Sequence, residues 1–378
     1  MKKSSRILAL LLAGVMVLGL AACGGDNKKA DADTSGMAVA MITDYGDITD
    51  QSFNQTTYEA CKAYCEANSV KFQYYKPAGD STAERVASVE SAIDEGYNII
   101  VMPGYAFGET IQQTVNNYPE VTFVALDGGE GDLGGMTLPS NTYCAVYQEE
   151  LCGYMAGYAA AKLGYKHLGF LGGMAVPAVI RYGYGFVQGV DAAAAEMGAS
   201  DVTVEYAYGN QFFGDADITA FMDNWYQNLG VEVVFACGGG IFTSAAEAAA
   251  KVDNGKVIGV DVDQAAIIDG AYGAGMTVTS AMKGLAPTVD HMLSEIAAGN
   301  WANYGGKIEN LGLVSKTPSA NYVQIAGSTQ FGDGFTEADY NALVADMFDG
   351  KITVSNDTAA AAADMASTAT VNDYGNIK

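Results

Sequence analysis

Histidine is almost missing from this chain: His167 and His291 are the whole supply in 378 residues. That scarcity removes most routes to a hydrolytic triad or a catalytic zinc site, which lean on imidazole. His167 stands just before a predicted strand and His291 lies in a predicted helix, so both read as structural or surface residues. A Gly-x-Ser-x-Gly nucleophile elbow is absent, and so is a P-loop. Basic charge is scarce too, with 19 Lys and Arg against 44 Asp and Glu. Such an acidic chain has no patch for counterion-driven binding to nucleic acid or to an anionic lipid surface. Cysteine is sparse and uneven: apart from Cys23 there are Cys61, Cys65, Cys144, Cys152 and Cys237, an odd set that cannot form a complete disulfide framework. Cys61 and Cys65 lie four apart on a predicted helix, where disulfide geometry is awkward. They read as buried or half-buried thiols rather than a redox or metal pair, and neither cofactor nor metal is expected.

What the N-terminus does have is a positive start and an apolar run. Lys2, Lys3 and Arg6 precede residues 7–20, which are too short to span a bilayer, and the run ends in Leu20-Ala21-Ala22-Cys23-Gly24. Small residues before a cysteine let a peptidase cut there once the thiol is acylated. Residues 1–22 are therefore expected to be a lipoprotein signal peptide, with Cys23 as the lipidated mature N-terminus. Residues 23–36, polar and aperiodic, read as a flexible tether. Removing the three basic signal residues leaves 16 basic against 44 acidic, a net charge of −28. The expected location is the extracytoplasmic face of the cell membrane, held there by lipid, since so acidic a domain has no membrane-binding surface of its own.

The mature length exceeds what one compact core usually holds, so two lobes are expected. Short apolar strand candidates at 37–43, 71–75, 99–102, 122–126, 168–171, 202–206, 231–236 and 257–260 alternate with helical stretches at 53–67, 82–95, 107–117, 147–163, 178–197, 215–229 and 243–253. Continuous apolar strands separated by amphipathic helices indicate parallel sheets covered on both faces. The prediction is an α/β chain with two doubly wound parallel-sheet lobes joined by a hinge. One lobe takes 37–143 plus 281–312 and the other 144–280 plus 313–355, while a tail at 356–378 forms either another helix and strand or a loose segment.

In open α/β sheets, ligands bind beyond the carboxyl ends of the strands. Those ends here carry Asp44-Tyr45-Gly46-Asp47, Pro103-Gly104-Tyr105, Asp127-Gly128-Gly129, Gly172-Gly173-Met174, Phe212-Phe213-Gly214-Asp215, Cys237-Gly238-Gly239-Gly240 and Asp261-Val262-Asp263-Gln264. Taken singly, each glycine serves a turn and each aspartate caps a helix. Their convergence from both lobes suggests a site, with carboxylates for hydroxyl and N–H donors and aromatic faces for a flat ring.

The stretch from Asp44 to Gln55 resembles the opening signature of the basic membrane protein family, nucleoside-binding lipoproteins of ABC importers. Gly172-Gly173 with Pro177, then 181–189, Gly238-Gly239-Gly240, 258–264 and 279–283 are similar to the family's later motifs, in family order over about 37–355. The resemblance implies a type I periplasmic-binding-protein fold. It also implies a base held between Phe53 and Phe213 (with Phe212 as the competing position), accepted by Asp44 and hydrogen-bonded by Asn54 and Asp127. Gly239 joins the ligand-binding set, Asp261 takes ribose hydroxyls, and Lys283 donates to sugar or base. Two positions depart from the usual pattern. Gln51 replaces a common lysine and is expected to face outward. Ile241 replaces the usual residue after Gly240, in a loop expected to line the cleft. The implied function is a solute-binding lipoprotein, not an enzyme, that passes a nucleoside, foremost a purine nucleoside, to an ABC permease and its ATPase. The alternative is a receptor of the same fold for a sugar or signalling molecule; an exported nucleoside hydrolase is the more distant rival.

Overall fold

The computed structural model describes residues 33–377, so the signal peptide, Cys23 and most of the tether lie outside the described residues. A first sheet gathers β1 (Ala38–Ile42), β2 (Lys71–Tyr75), β3 (Ile99–Pro103), β4 (Thr122–Leu126) and β5 (Thr142–Tyr147), connected through α1 (Phe53–Asn68), α2 (Thr82–Asp94) and α3 (Gly108–Thr114). The chain then crosses to a second sheet. There α4 (Glu149–Lys162), β6 (His167–Gly172), α5 (Pro177–Met197), β7 (Thr203–Tyr208), α6 (Ala216–Asp223), β8 (Val233–Cys237), α7 (Phe242–Ala249), β9 (Lys256–Asp261), α8 (Ala265–Tyr272) and β10 (Thr277–Lys283) follow in turn. It returns through α9 (Leu285–Ala297) to β11 (Lys307–Leu311) on the first sheet, then back to β12 (Val323–Ile325), α10 (Glu337–Phe348) and β13 (Thr370–Asn376).

The sheet orders are β11-β5-β4-β3-β1-β2 and β12-β10-β9-β8-β6-β7-β13. Strands β1 to β5 and β6 to β10 therefore occupy matching places, so the two lobes share one topology although no duplication is visible in the residues themselves. Every pair is parallel except β10 with β12. Central strands β1, β3 and β8 are buried along their whole length, as strands covered on both faces must be.

β5 belongs wholly to the first sheet and β10 wholly to the second, so the crossings fall a few residues beyond 143 and 281. Sequence periodicity blurred the first crossing because β5 runs almost directly into α4. Helices α4 and α5 approach through reciprocal glycine notches: a Cβ at Gly153 or Gly157 would strike the backbone of Tyr182 or Phe186, and one at Gly185 or Gly189 that of Glu150 or Tyr154. This contact fixes the starts of both helices, where two charged residues of the cleft are mounted.

The C-terminal tail is folded onto the second lobe. β13 pairs in parallel with β7, while buried Glu205 meets Tyr374 Oη at 2.7 Å, Asn372 Nδ2 at 3.1 Å and His167 Nε2 at 2.7 Å. Asp191 of α5 accepts from the backbone N–H groups of Ser367, Thr368 and Ala369. The cysteines from Cys61 onward are free and buried; burial pushes the Cys65 thiol up to about 11. Among the described residues no helix is long and apolar enough to cross a membrane.

Candidate functional site

A cavity of about 1250 Å³ opens between the lobes at the carboxyl ends of the strands. Asp44, Phe53, Asn54, Asp127, Phe213, Gly239, Asp261 and Lys283 all lie along its wall. What each can do there differs.

Lys283 ends β10 at the crossing between the sheets, with its side chain 3% exposed. Its Nζ lies 2.6 Å from Asp127 Oδ2, 3.4 Å from Glu149 Oε1 and 3.7 Å from Asp261 Oδ1. It also sits 4.8 Å from the centre of the Phe53 ring, close enough for a cation–π contact. Burial alone would pull the ammonium down, but Asp127, Asp261 and Glu149 outweigh it and hold Lys283 above the ordinary lysine value. Three carboxylates crowded together without that cation would repel one another in a dry setting.

Asp127 follows β4 and Asp261 ends β9, so they occupy matching places in the two lobes. Both have left-handed backbones, with φ of 60° and 64°, a conformation aspartate tolerates better than most residues. Both oxygens of Asp261 are engaged: Oδ2 accepts from Ser52 Oγ across the cleft at 2.7 Å, and Oδ1 from Tyr182 Oη at 3.2 Å. Burial raises its carboxyl and Lys283 works against that rise. Asp127 spends Oδ2 on Lys283, while its buried Oδ1 has no partner.

At the other end of the cavity, Asp44 follows β1. Its Oδ1 accepts from the N–H groups of Tyr45 and Gly46, each at 2.6 Å, and from Asn54 Nδ2 at 3.2 Å. Burial still pushes its carboxyl up to about 6. Asn54 Nδ2 donates also to Asp50 Oδ2 at 3.1 Å. A flipped amide would set oxygen against two carboxylates, so the orientation is fixed by chemistry. The amide oxygen of Asn54 is left buried and unpartnered. Asp50 meanwhile accepts from the N–H groups of Ser52, Asn54 and Gln55, which holds the start of α1 and so aims Phe53.

The aromatic partner from the second lobe is where the structure departs most from expectation. Phe213 touches the cavity but is 61% exposed. Phe212 is half-buried and faces Tyr45 across the cleft, ring centres 6.2 Å apart at 28°. Both rings border the cavity, but Phe212 is the more enclosed of the two and the one in ring contact with the first lobe. Gly239 has φ of +52° and runs beneath the Phe212 carbonyl, and its own carbonyl accepts from Gln264 Nε2 at 3.4 Å. Gln51 is exposed, but it stands at the rim of the cavity rather than wholly outside it. The Ile241 side chain turns away from the cleft into the second lobe's core.

Sequence reasoning missed several groups. Glu149, Arg181, Tyr182 and Ser52 support the charged floor; Tyr105 and Met174, already among the strand-end candidates, line the cavity, with Tyr45 Oη 3.2 Å from Tyr105 Oη and 3.6 Å from Met174 Sδ. The acidic pair Glu149-Glu150, opening a helix straight after a strand, was the visible cue for Glu149, while Ser52, Arg181 and Tyr182 sit inside the motif stretches 44–55 and 181–189 without a role assigned to them there. Both carboxyls are buried, and burial raises each, Glu150 to about 7.

Comparison with known proteins agrees with this architecture. The nucleoside-binding protein BmpA of an ABC transporter in Lactococcus lactis subsp. cremoris is 28% identical over 280 residues, 70% of this chain and 74% of that protein. Basic membrane protein B of Borreliella burgdorferi is 25% identical over 77% of this chain and 83% of its own length. Among solved structures, an ABC transporter solute-binding protein from Aeropyrum pernix K1 superposes with a TM-score of 0.65 at 21% identity, covering 87% of this chain and 90% of that one. One from Conexibacter woesei gives 0.64 at 22% identity, over 85% and 99%. These likenesses show the type I periplasmic-binding-protein fold. The family model described as ABC transporter substrate-binding protein PnrA-like (Bmp) matches residues 37–318, and the chain belongs to that family of ABC transporter substrate-binding proteins.

Proposed function

We propose that the protein binds a nucleoside, foremost a purine nucleoside, between its lobes without turning it over. The lobes close on it by hinge motion at the crossings and present it to a membrane permease and its ATPase. The carrying observation is the buried Lys283, which joins strand-end carboxylates of both sheets, Asp127 and Asp261, beside the ring of Phe53. That floor offers charge-assisted acceptors for a vicinal diol, each bond contributing about 1.5–3 kcal/mol. The aromatic wall offers a stacking face that contributes about 0.5–1.5 kcal/mol beyond burial. After association costs, such terms support micromolar or tighter binding.

Phe53 from α1 and Phe212 from the second lobe are the proposed base sandwich, and Phe212 takes the place first given to Phe213. Asp44 and the oxygen of Asn54 accept from the base, while Asp127, Asp261 and Lys283 take the sugar. Anchoring through a lipid at Cys23 would keep this acidic receptor beside its permease.

Calorimetry with adenosine, guanosine, inosine, uridine and cytidine tests the reading, and no heat from any of them sinks it. Incubation with labelled nucleosides is expected to release no free base. Phe53→Ala is expected to weaken a nucleoside about tenfold or more, whereas a sugar receptor would tolerate it.

A further inference from the structure

Among the described residues, Lys76, Arg181 and Lys283 are the cations that line the cavity. Lys76 pairs with Asp47 at the exposed rim, and Lys283 is committed to Asp127 and Glu149. Arg181 is different. It rises from the second turn of α5 and uses Nε to donate to Glu149 Oε2 at 2.7 Å, with its side chain 18% exposed. A guanidinium carries its remaining donors on the two Nη atoms, and among the described residues neither has a protein partner. Its anchor is rigid: Glu149 is wholly buried, its other oxygen accepts from Lys283, and the glycine notches lock α4 against α5. The Asp127 carboxylate, with its bare Oδ1, lies near enough to act on the Arg181 charge.

We propose that Arg181 is a ligand-binding residue whose free Nη edge donates to one sugar hydroxyl oxygen of the nucleoside, the hydroxyl hydrogen going to Asp127. The assignment rests on the nucleoside reading above. A hydroxyl both accepts and donates, so a guanidinium on one side and a carboxylate on the other satisfy it completely. Glu149 acts through Arg181 and is a positioning residue: it consumes Nε and so turns the Nη edge toward the cleft.

Calorimetry on the whole protein tests this with guanosine and inosine and their 2′-deoxy, 3′-deoxy and 5′-deoxy analogues, comparing wild type with Arg181→Lys. Lysine keeps the charge beside Glu149 but has no second edge to offer. Arg181→Lys is expected to weaken both ribonucleosides about tenfold or more. For one of the three deoxy analogues it should cost less than about twofold, because the hydroxyl that needed the fork is already gone. Equal losses across all sugars, or no loss at all, overturn the assignment while leaving nucleoside binding intact. Absence of any binding to the wild type overturns both. Arg181→Gln, which still donates to Glu149, must repeat the selective loss, so instability of one variant does not decide the result.

Discussion

Asp127 and Asp261 end corresponding strands of the two sheets in the same left-handed conformation, yet their carboxylates are employed differently. Asp261 is bonded on both oxygens, one of them across the cleft to Ser52. Asp127 reaches to Lys283 with one oxygen and leaves the other buried and unpaired. A buried acceptor without a donor costs about 1–3 kcal/mol, a cost that a ligand hydroxyl would remove. One strand end thus serves as a strut between the lobes, while its counterpart keeps a bare acceptor, the one proposed to receive the ligand. Duplicated topology supplied two equivalent positions, and neighbouring side chains gave them separate roles.

Lys283 is where the two positions meet, and removing it should break the comparison most severely. Lys283→Met leaves Asp127, Asp261 and Glu149 buried without their shared cation. The expected result is about 3–5 kcal/mol lost from folding stability and no detectable ligand binding, read by denaturant unfolding and calorimetry. Adding Asp127→Asn to that variant should return part of the stability by relieving the repulsion. If Lys283→Met folds and binds as the wild type does, the charged floor has no role in recognition.

Single amide substitutions sharpen the same contrast. Asp127→Asn removes an acceptor held for the ligand, so affinity should fall by about tenfold to a hundredfold. Asp261→Asn weakens a bond the protein already makes, so its loss should fall on stability first and on affinity second. Calorimetry and thermal melting of both variants separate the outcomes, and a reversed pattern would reassign strut and receptor.

Much of this was legible in the residues. Alternating strands and helices gave two doubly wound lobes, and the rule that ligands sit at strand ends found Asp44, Asp127, Asp261 and Gly239 on the cavity wall. Other features escaped for identifiable reasons. β5 merges into α4 with a single residue between them, so no turn chemistry marks the crossing. β13 is mostly exposed and polar, and its strand character comes from pairing with β7 rather than from its own pattern. Phe212 and Phe213 are chemically equivalent neighbours that both border the cavity, and only the fold of the loop shows that Phe212 is the one facing Tyr45. Glu149 and Arg181 sit one above the other only because glycines let α4 and α5 approach, a contact that spacing within either helix cannot reveal.

Asp44 extends the comparison to the end of β1, two strands away from β4 in the first sheet, with the smallest expected effect and an unusual sign. Burial holds its carboxyl at about 6, above the ordinary 3.8. A raised carboxyl favours the folded state while protonated, so this contribution is present below about pH 4 and disappears as pH rises through 6. Glu150, raised to about 7, acts in the same direction. Ligand-free protein should therefore gain stability from these two groups as pH falls from 7 toward 5. Binding should respond oppositely, because Asp44 accepts from the base only as a carboxylate. Below pH 6 the affinity is expected to fall, approaching about tenfold per pH unit for a single required deprotonation. Calorimetry and melting across pH 5 to 8 test the pair of trends, and Asp44→Asn should flatten the affinity curve. A wild-type affinity unchanged between pH 7 and 5 would mean that Asp44 does not face the ligand as an acceptor, and recognition in the first lobe would then rest on Phe53, Asn54 and Asp127.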